Sequence, residues 1–202
     1  MKIVCIGRNY AEHARELGNE IPSEPVLFIK PETSLNTFNE FKLPNFSEDV
    51  QFEIELVIKI NKSGKNISIQ DAPQYYHEIG LGIDFTARDL QSQLKAKGLP
   101  WEKAKAFDGS AVVSKFLPIK NLQNSNNIHF ELYQNQKLVQ VGYTREMLFD
   151  FNEIIVQISK YFTLKTGDLI FTGTPKGVGK VQANDILQGH LEGKKLLEIK
   201  II

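Results

Sequence analysis

The sequence of 202 residues predicts a strand-dominated α+β fold, on three observations. Short runs of apolar or alternating character recur along the whole chain, at 2–6, 26–30, 52–60, 79–84, 128–134 and 169–172. Only 10–17, 86–98 and 149–162 have the composition and periodicity of helices longer than a turn. No repeat, linker or low-complexity tract divides them, so a single domain over 1–202 is expected.

Taken in order, residues 2–6 predict a strand, and Gly7-Arg8-Asn9 the turn leaving it. The helix over 10–17 ends at Gly18, a residue suited to the left-handed position after a helix. On it His13 and Glu16 lie three apart and therefore share a face. The pair is either a base whose tautomer a carboxylate fixes, or a surface ion pair. Residues 19–25 are polar and carry two prolines, which makes 8–24 a candidate flap rather than core. A short strand over 26–30 stops at Pro31, and 32–50 reads as loop.

The strand over 52–60 carries Glu53 and Glu55 on one face and Phe52, Ile54 and Leu56 on the other, because side chains alternate. A turn follows at 61–64, one helical turn at 69–75, and a glycine-bearing strand that leads to Asp84. Its glycines would let another backbone or a ligand approach closely. In the helix over 86–98, Thr86 and Asp89 have a cap-like spacing and Gly98 is the stop; Arg88 and Gln91 then fall within reach of Asp84. Residues 103–109, with Lys105, read as irregular. Asn135-Gln136 turns a hairpin, and the apolar stripe at 151, 154, 155, 158, 161 and 162 marks a helix packed on the core. A buried strand over 169–172 runs into the glycine loop 173–179, and 186–202 gives two more strands around Gly193.

Basic and acidic residues number 24 each, so no global field draws nucleic acid or an anionic membrane, and function must come from a local site. The first apolar run is too short for a signal peptide and no stretch approaches a membrane span, so a cytoplasmic protein is expected. Cys5 is the single cysteine; set in a strand, it predicts a buried, unreactive thiol.

The local site centres on acids. Glu53 and Glu55 repel one another and raise each other's proton affinity unless a cation or several donors hold them ionised. With Asp84 they make an oxygen-rich set suited to Mg²⁺ or Mn²⁺ and poorly suited to zinc; without it they are two solvated glutamates on a half-exposed strand. The loop 173–179 misses the Walker spacing by one residue, and Val181 stands where Ser or Thr should be. What it offers is backbone N–H groups, either a nest for a carboxylate or an ordinary tight turn.

In this order the pieces resemble the fumarylacetoacetate hydrolase family, above all its short acylpyruvate hydrolase and oxaloacetate decarboxylase branch. The strings that carry the resemblance are Gly7-Arg8-Asn9-Tyr10-Ala11-Glu12-His13, 23–31, Glu53-Ile54-Glu55-Leu56, Asp84-Phe85-Thr86-Ala87-Arg88-Asp89-Leu90-Gln91, 97–101 and 167–179. The resemblance implies a mixed β-roll that usually dimerises, with Glu53, Glu55 and Asp84 as ligands of Mg²⁺ or Mn²⁺. It implies His13 and Glu16 as a water-activating dyad on a closing flap, and Lys105 and Gln91 at the reacting oxygens. Thr174 and its loop, with Gly173, would hold the substrate, and Arg8 and Arg88 sit in matched strings. The activity implied is carbon–carbon bond cleavage in a small β-diketo or α-keto acid, with isomerase or hydratase chemistry on 2-hydroxy-dienoates as the alternative; a third reading is a non-catalytic, metal-stabilised binding protein. Gln51-Phe52 replaces a His-His common in the branch and Ala106 a common serine, which leaves the acids intact and bears on substrate preference. The large N-terminal domain of eukaryotic fumarylacetoacetases is not expected here.

Overall fold

A computed structural model describes residues 1–122 and 127–202. The chain builds two larger sheets and a small one, with four short α-helices around them among the described residues. In the first sheet the strands run Val26–Lys30, Ile3–Gly7, Leu169–Phe171, Ile54–Ile60, Tyr76–Asp84, Ala111–Val113 and Leu35–Asn36. Leu117–Pro118 adds to Tyr76–Asp84. Most neighbours are antiparallel, but Ile3–Gly7 pairs in parallel with Leu169–Phe171, a contact between segments far apart in the sequence. The second sheet runs Lys137–Tyr143, His129–Gln134, Ile186–Leu191, Lys194–Ile201 and Glu40–Phe41.

The main core lies between these sheets. Val4, Ile6, Ile54, Leu56, Ile58 and Leu81 from the first meet Phe130, Leu132, Leu187 and Ile199 from the second. The other face of the first sheet, with Ile3, Cys5, Val57 and Phe171, is covered by Phe28, Leu35 and Phe116. A sheet buried on both faces explains why its strands read as nearly continuous apolar runs. Cys5 is fully buried there, as its sequence setting predicted. Burial, then the nearby Asp84 charge, pushes its thiol pKa well up, so it stays protonated.

The strand-dominated class, the Asn135-Gln136 hairpin and the closing pair of strands are as predicted. Asn135 and Gln136 both have positive φ, as the tight turn demands. The helix Phe151–Tyr161 begins with a capping box between Asp150 and Glu153 and buries Ile154, Ile155 and Ile158. Tyr161, placed in its apolar stripe, is instead exposed.

Three expectations fail in detail. The run 52–60 is not one strand: Val50–Phe52 joins Gly179–Lys180 and Thr86–Ala87 in the third sheet, Ile54–Ile60 belongs to the first, and Glu53 sits in the gap. Thr86 is not a helix cap; it lies in the Thr86–Ala87 strand, the helix starts at Arg88, and Asp89 binds Ser47 and the Glu48 N–H. Residues 102–105 form a helical turn where irregular chain was expected. Of the two uses expected for the strand's glycines the structure shows close approach by protein: a Cβ on Gly80 would lie 3.3 Å from the Lys115 carbonyl, and one on Gly82 would lie 2.5 Å from Phe171 Cε1 and 2.6 Å from Val57 Cγ2. Gly82→Ala is therefore expected to destabilise the fold by about 1–3 kcal/mol through overpacking. Urea denaturation should show a lower midpoint at unchanged slope.

Candidate active site

Strand register brings the three acids together. Glu55 pairs with Gly82 and Ile54 with Ile83 across two antiparallel strands. The Asp84 N–H donates to the Glu53 carbonyl at 2.9 Å, which sets Asp84 opposite Glu53. One oxygen from each of Glu53, Glu55 and Asp84 lies within 4.8 Å of the others, and all three side chains are buried. The half-exposed strand with solvated glutamates is thereby excluded.

Three cations balance the three carboxylates. Lys105 Nζ donates to Glu53 Oε2 at 2.7 Å, to Asp84 Oδ2 at 2.9 Å and to Thr86 Oγ1 at 2.6 Å, which uses all its protons. Arg88 donates to Glu53, to Gln51 Oε1 at 2.8 Å and to Gln91 Oε1 at 2.6 Å. Lys30, with no exposed surface, sits 2.8 Å from Asp84 Oδ1. Its protons go to the Lys105 carbonyl and to Ser110, so Asp84 Oδ1 has the ammonium charge beside it but accepts no hydrogen bond.

The acids divide accordingly. Burial pushes the Glu53 pKa up, but Lys105 and Arg88 outweigh it and hold the carboxyl well below its usual range. Burial, then Asp84 and Glu53, push Glu55 well above that range, and the Gly173 N–H at 2.6 Å offsets this only in part. Burial pulls the Lys105 pKa down, and Asp84 and Glu53 more than reverse it. Glu55 thus lacks a cation and Asp84 keeps an unused lone pair, both facing a cluster of hard oxygen donors. This donor set fits a divalent ion such as Mg²⁺ or Mn²⁺.

The pocket above the acids has a volume of about 40 Å³, and Arg8, His13, Arg88, Gln91, Lys105 and Thr174 line it with them. His13 is buried on the helix Ala11–Glu16, and its Nδ1 lies 3.1 Å from Oε2 of the more exposed Glu16, so the pair links the pocket to the surface. Glu16 Oε1 accepts the Gly177 N–H at 2.9 Å. Two N–H groups of the glycine loop, those of Gly173 and Gly177, are therefore engaged by protein carboxylates instead of forming an open nest. Gln91 spends its oxygen on Arg88, which leaves its amide N–H₂ for the pocket. Arg8 has φ +60 and no ion pair among the described residues. At the mouth Lys95 donates to Asn19 at 2.8 Å; burial, then Arg8 and Arg88, lower its pKa.

Sequence reasoning passed over Lys30, Thr86 and Gln140. Lys30 had a signal, a lysine closing an otherwise apolar strand, which a buried environment tolerates only beside an acid. Gln51, a departure from the branch pattern, proves to be a partner of Arg88.

The family profile described as "Fumarylacetoacetate (FAA) hydrolase C-terminal" matches residues 2–201. The chain belongs to the fumarylacetoacetate hydrolase family. Among its relatives, an oxaloacetate decarboxylase of Dictyostelium discoideum is 42% identical over 194 residues, covering 95% of this chain and 89% of the relative. An oxaloacetate tautomerase of Escherichia coli (strain K12) is 39% identical over 197 residues, covering 96% and 90%. The crystal structure of a fumarylpyruvate hydrolase from Pseudomonas aeruginosa, in complex with Mn²⁺ and pyruvate, superposes with a TM-score of 0.94 at 32% identity, covering 100% of this chain and 89% of that one. These relatives are named as enzymes acting on oxaloacetate and on fumarylpyruvate.

Lys30→Met removes the cation beside Asp84 Oδ1 and leaves Asp84 and Glu53 to share Lys105, one positive charge short in a buried cluster. A loss of about 3–5 kcal/mol is expected, measured by chemical denaturation of the metal-free protein.

Proposed function

We propose that the protein is a Mg²⁺- or Mn²⁺-dependent enzyme that generates the enolate of a small α-keto acid by breaking a carbon–carbon bond. Oxaloacetate decarboxylation and acylpyruvate hydrolysis are the two forms of this reaction. The observation that carries the reading is the meeting of Glu53, Glu55 and Asp84 within 4.8 Å in a buried pocket beside His13. The relatives named oxaloacetate decarboxylase and fumarylpyruvate hydrolase support the substrate class.

Glu53, Glu55 and Asp84 would hold the ion, which when bound supplies Lewis-acid polarisation of the α-keto oxygen. Arg88 and Lys105 keep Glu53 ionised for that task. Lys105 reaches a substrate oxygen only by giving up one of its three present bonds, whereas Gln91 and Thr174 face the pocket with groups to spare. Glu16 fixes the imidazole of His13 through Nδ1, which aims Nε2 as the base.

For an acylpyruvate, His13 takes a proton from water as the oxygen adds to the distal carbonyl. The bond between that carbon and the methylene then breaks, its electron pair passes to the pyruvate enolate, and a carboxylic acid leaves. For oxaloacetate the bond to the distal carboxylate breaks, CO₂ departs and the same enolate remains. Protonation at carbon completes either reaction. The segment 8–24 would close over the pocket as a flap, held by ties such as Lys95 to Asn19 and Gln157 to Glu24.

A second reading is keto–enol tautomerisation of oxaloacetate, in which a proton moves between the methylene carbon and the keto oxygen and no carbon–carbon bond breaks. The relatives named oxaloacetate tautomerase favour it, and His13 is again the proton carrier.

Product release from acetylpyruvate and from oxaloacetate, each with and without Mg²⁺, tests the proposal, with enol absorbance following tautomerisation. Asp84→Asn is expected to abolish metal-dependent turnover of every substrate and to weaken Mn²⁺ binding in calorimetry. Full activity in that variant would refute the assignment. His13→Ala should slow acylpyruvate hydrolysis by about 10²–10⁴-fold, the usual share of a general base. It should slow decarboxylation, which needs no activated water, much less.

A further inference from the structure

Gln140 lies on the strand Lys137–Tyr143 of the second sheet, and only 1% of its surface is exposed. Its Oε1 accepts the Ile54 N–H at 2.9 Å. Its Nε2 donates to Thr174 Oγ1 at 2.9 Å and to the Pro175 carbonyl at 2.8 Å. The amide cannot be turned over, because a backbone N–H must meet its oxygen and a backbone carbonyl must meet its nitrogen. One side chain therefore joins the residue between the two glutamates to the loop that faces the substrate.

We propose that Gln140 is a positioning residue that fixes Thr174 as a hydrogen-bond donor to an oxygen of the bound keto acid. The proposal rests on the function given above. A hydroxyl has one proton and two lone pairs. The Gln140 N–H occupies a lone pair on Thr174 Oγ1, and that oxygen makes no other hydrogen bond among the described residues. Thr174 is 3% exposed and lines the pocket with the three acids, so its proton is left for a ligand there. The same amide holds Ile54 N–H at the break between the two strands, which keeps Thr174 and the Glu53–Glu55 pair in one rigid unit. Without the amide donor, Thr174 is free to turn its proton towards the protein.

Gln140→Glu tests this while keeping shape and an acceptor for Ile54. The new carboxylate accepts where the amide donated, so Thr174 O–H turns to it and away from the pocket. Calorimetry would compare pyruvate binding to the Mn²⁺-loaded wild type, Gln140→Glu, Thr174→Val and the double variant. Each single change is expected to weaken binding about tenfold, the size of one hydrogen bond to a charged group. The double variant should be no weaker than Thr174→Val, and Gln140→Glu should again cost about tenfold in a Thr174→Ser background. Should Gln140→Glu fail to fold, Gln140→Met removes the donor without adding charge and enters the same cycle with the same expectation. Losses that multiply in the double variant, or pyruvate binding indifferent to the change at 140, would overturn the proposal. If wild-type protein with Mn²⁺ binds no pyruvate at all, the keto-acid reading falls and this proposal with it.

Discussion

Three carboxylates are buried where two strands meet, and the surrounding structure is arranged to make that tolerable. Taking an ion out of water costs several kcal/mol even after relaxation. Two opposite charges 4 Å apart return only about 4 kcal/mol at the effective dielectric of a protein site. Ion pairing alone therefore brings the cluster close to break-even and adds little to stability. Lys105 and Arg88 satisfy Glu53, Lys30 neutralises Asp84, and Glu55 is left with one N–H and a raised proton affinity. An arrangement that contributes so little to folding is explained by what its spare oxygens can hold.

The same constraint accounts for the break at Glu53. A continuous strand over 50–60 would carry both glutamates on one flat sheet. Splitting it lets Val50–Phe52 turn into the third sheet beside Thr86–Ala87, and this brings Arg88 to Glu53. The third sheet also brings the threonine whose hydroxyl anchors Lys105. The ladder bond lost at Ile54 is replaced by Gln140, from the opposite sheet. A backbone N–H buried without a partner would cost about as much as any side-chain bond in the site contributes.

How much of this the sequence disclosed follows from the range of each interaction. Alternation within 52–60 placed Glu53 and Glu55 together, and the i, i+3 spacing joined His13 to Glu16, because both depend on local geometry alone. Asp84 reads as a third acid from the strand it ends, and the family resemblance supplies the roles of Lys105 and Thr174, which no local pattern connects to the glutamates. Lys30 and Gln140 were missed since their partners lie far along the chain, Asp84 and Lys105 for the one, Ile54 and Thr174 for the other. Thr86 misled for a different reason. Its spacing to Asp89 suits a helix cap, but the sheet claimed its backbone and Lys105 its hydroxyl.

Charge then constrains what enters. The acids and their three cations are balanced, so a divalent ion held among them leaves the floor of the pocket positive. The mouth adds Arg8, which has no acidic partner among the described residues, and Lys95, whose one bond goes to the neutral Asn19. A neutral ligand would leave this excess uncompensated in a poorly solvated space, whereas a carboxylate removes it. The charge of the pocket thus favours an anion over a neutral ligand. Decarboxylation, hydrolysis and tautomerisation of keto acids all place negative charge on a keto oxygen beside a carboxylate, so the reactions proposed above would make the same demand on these side chains.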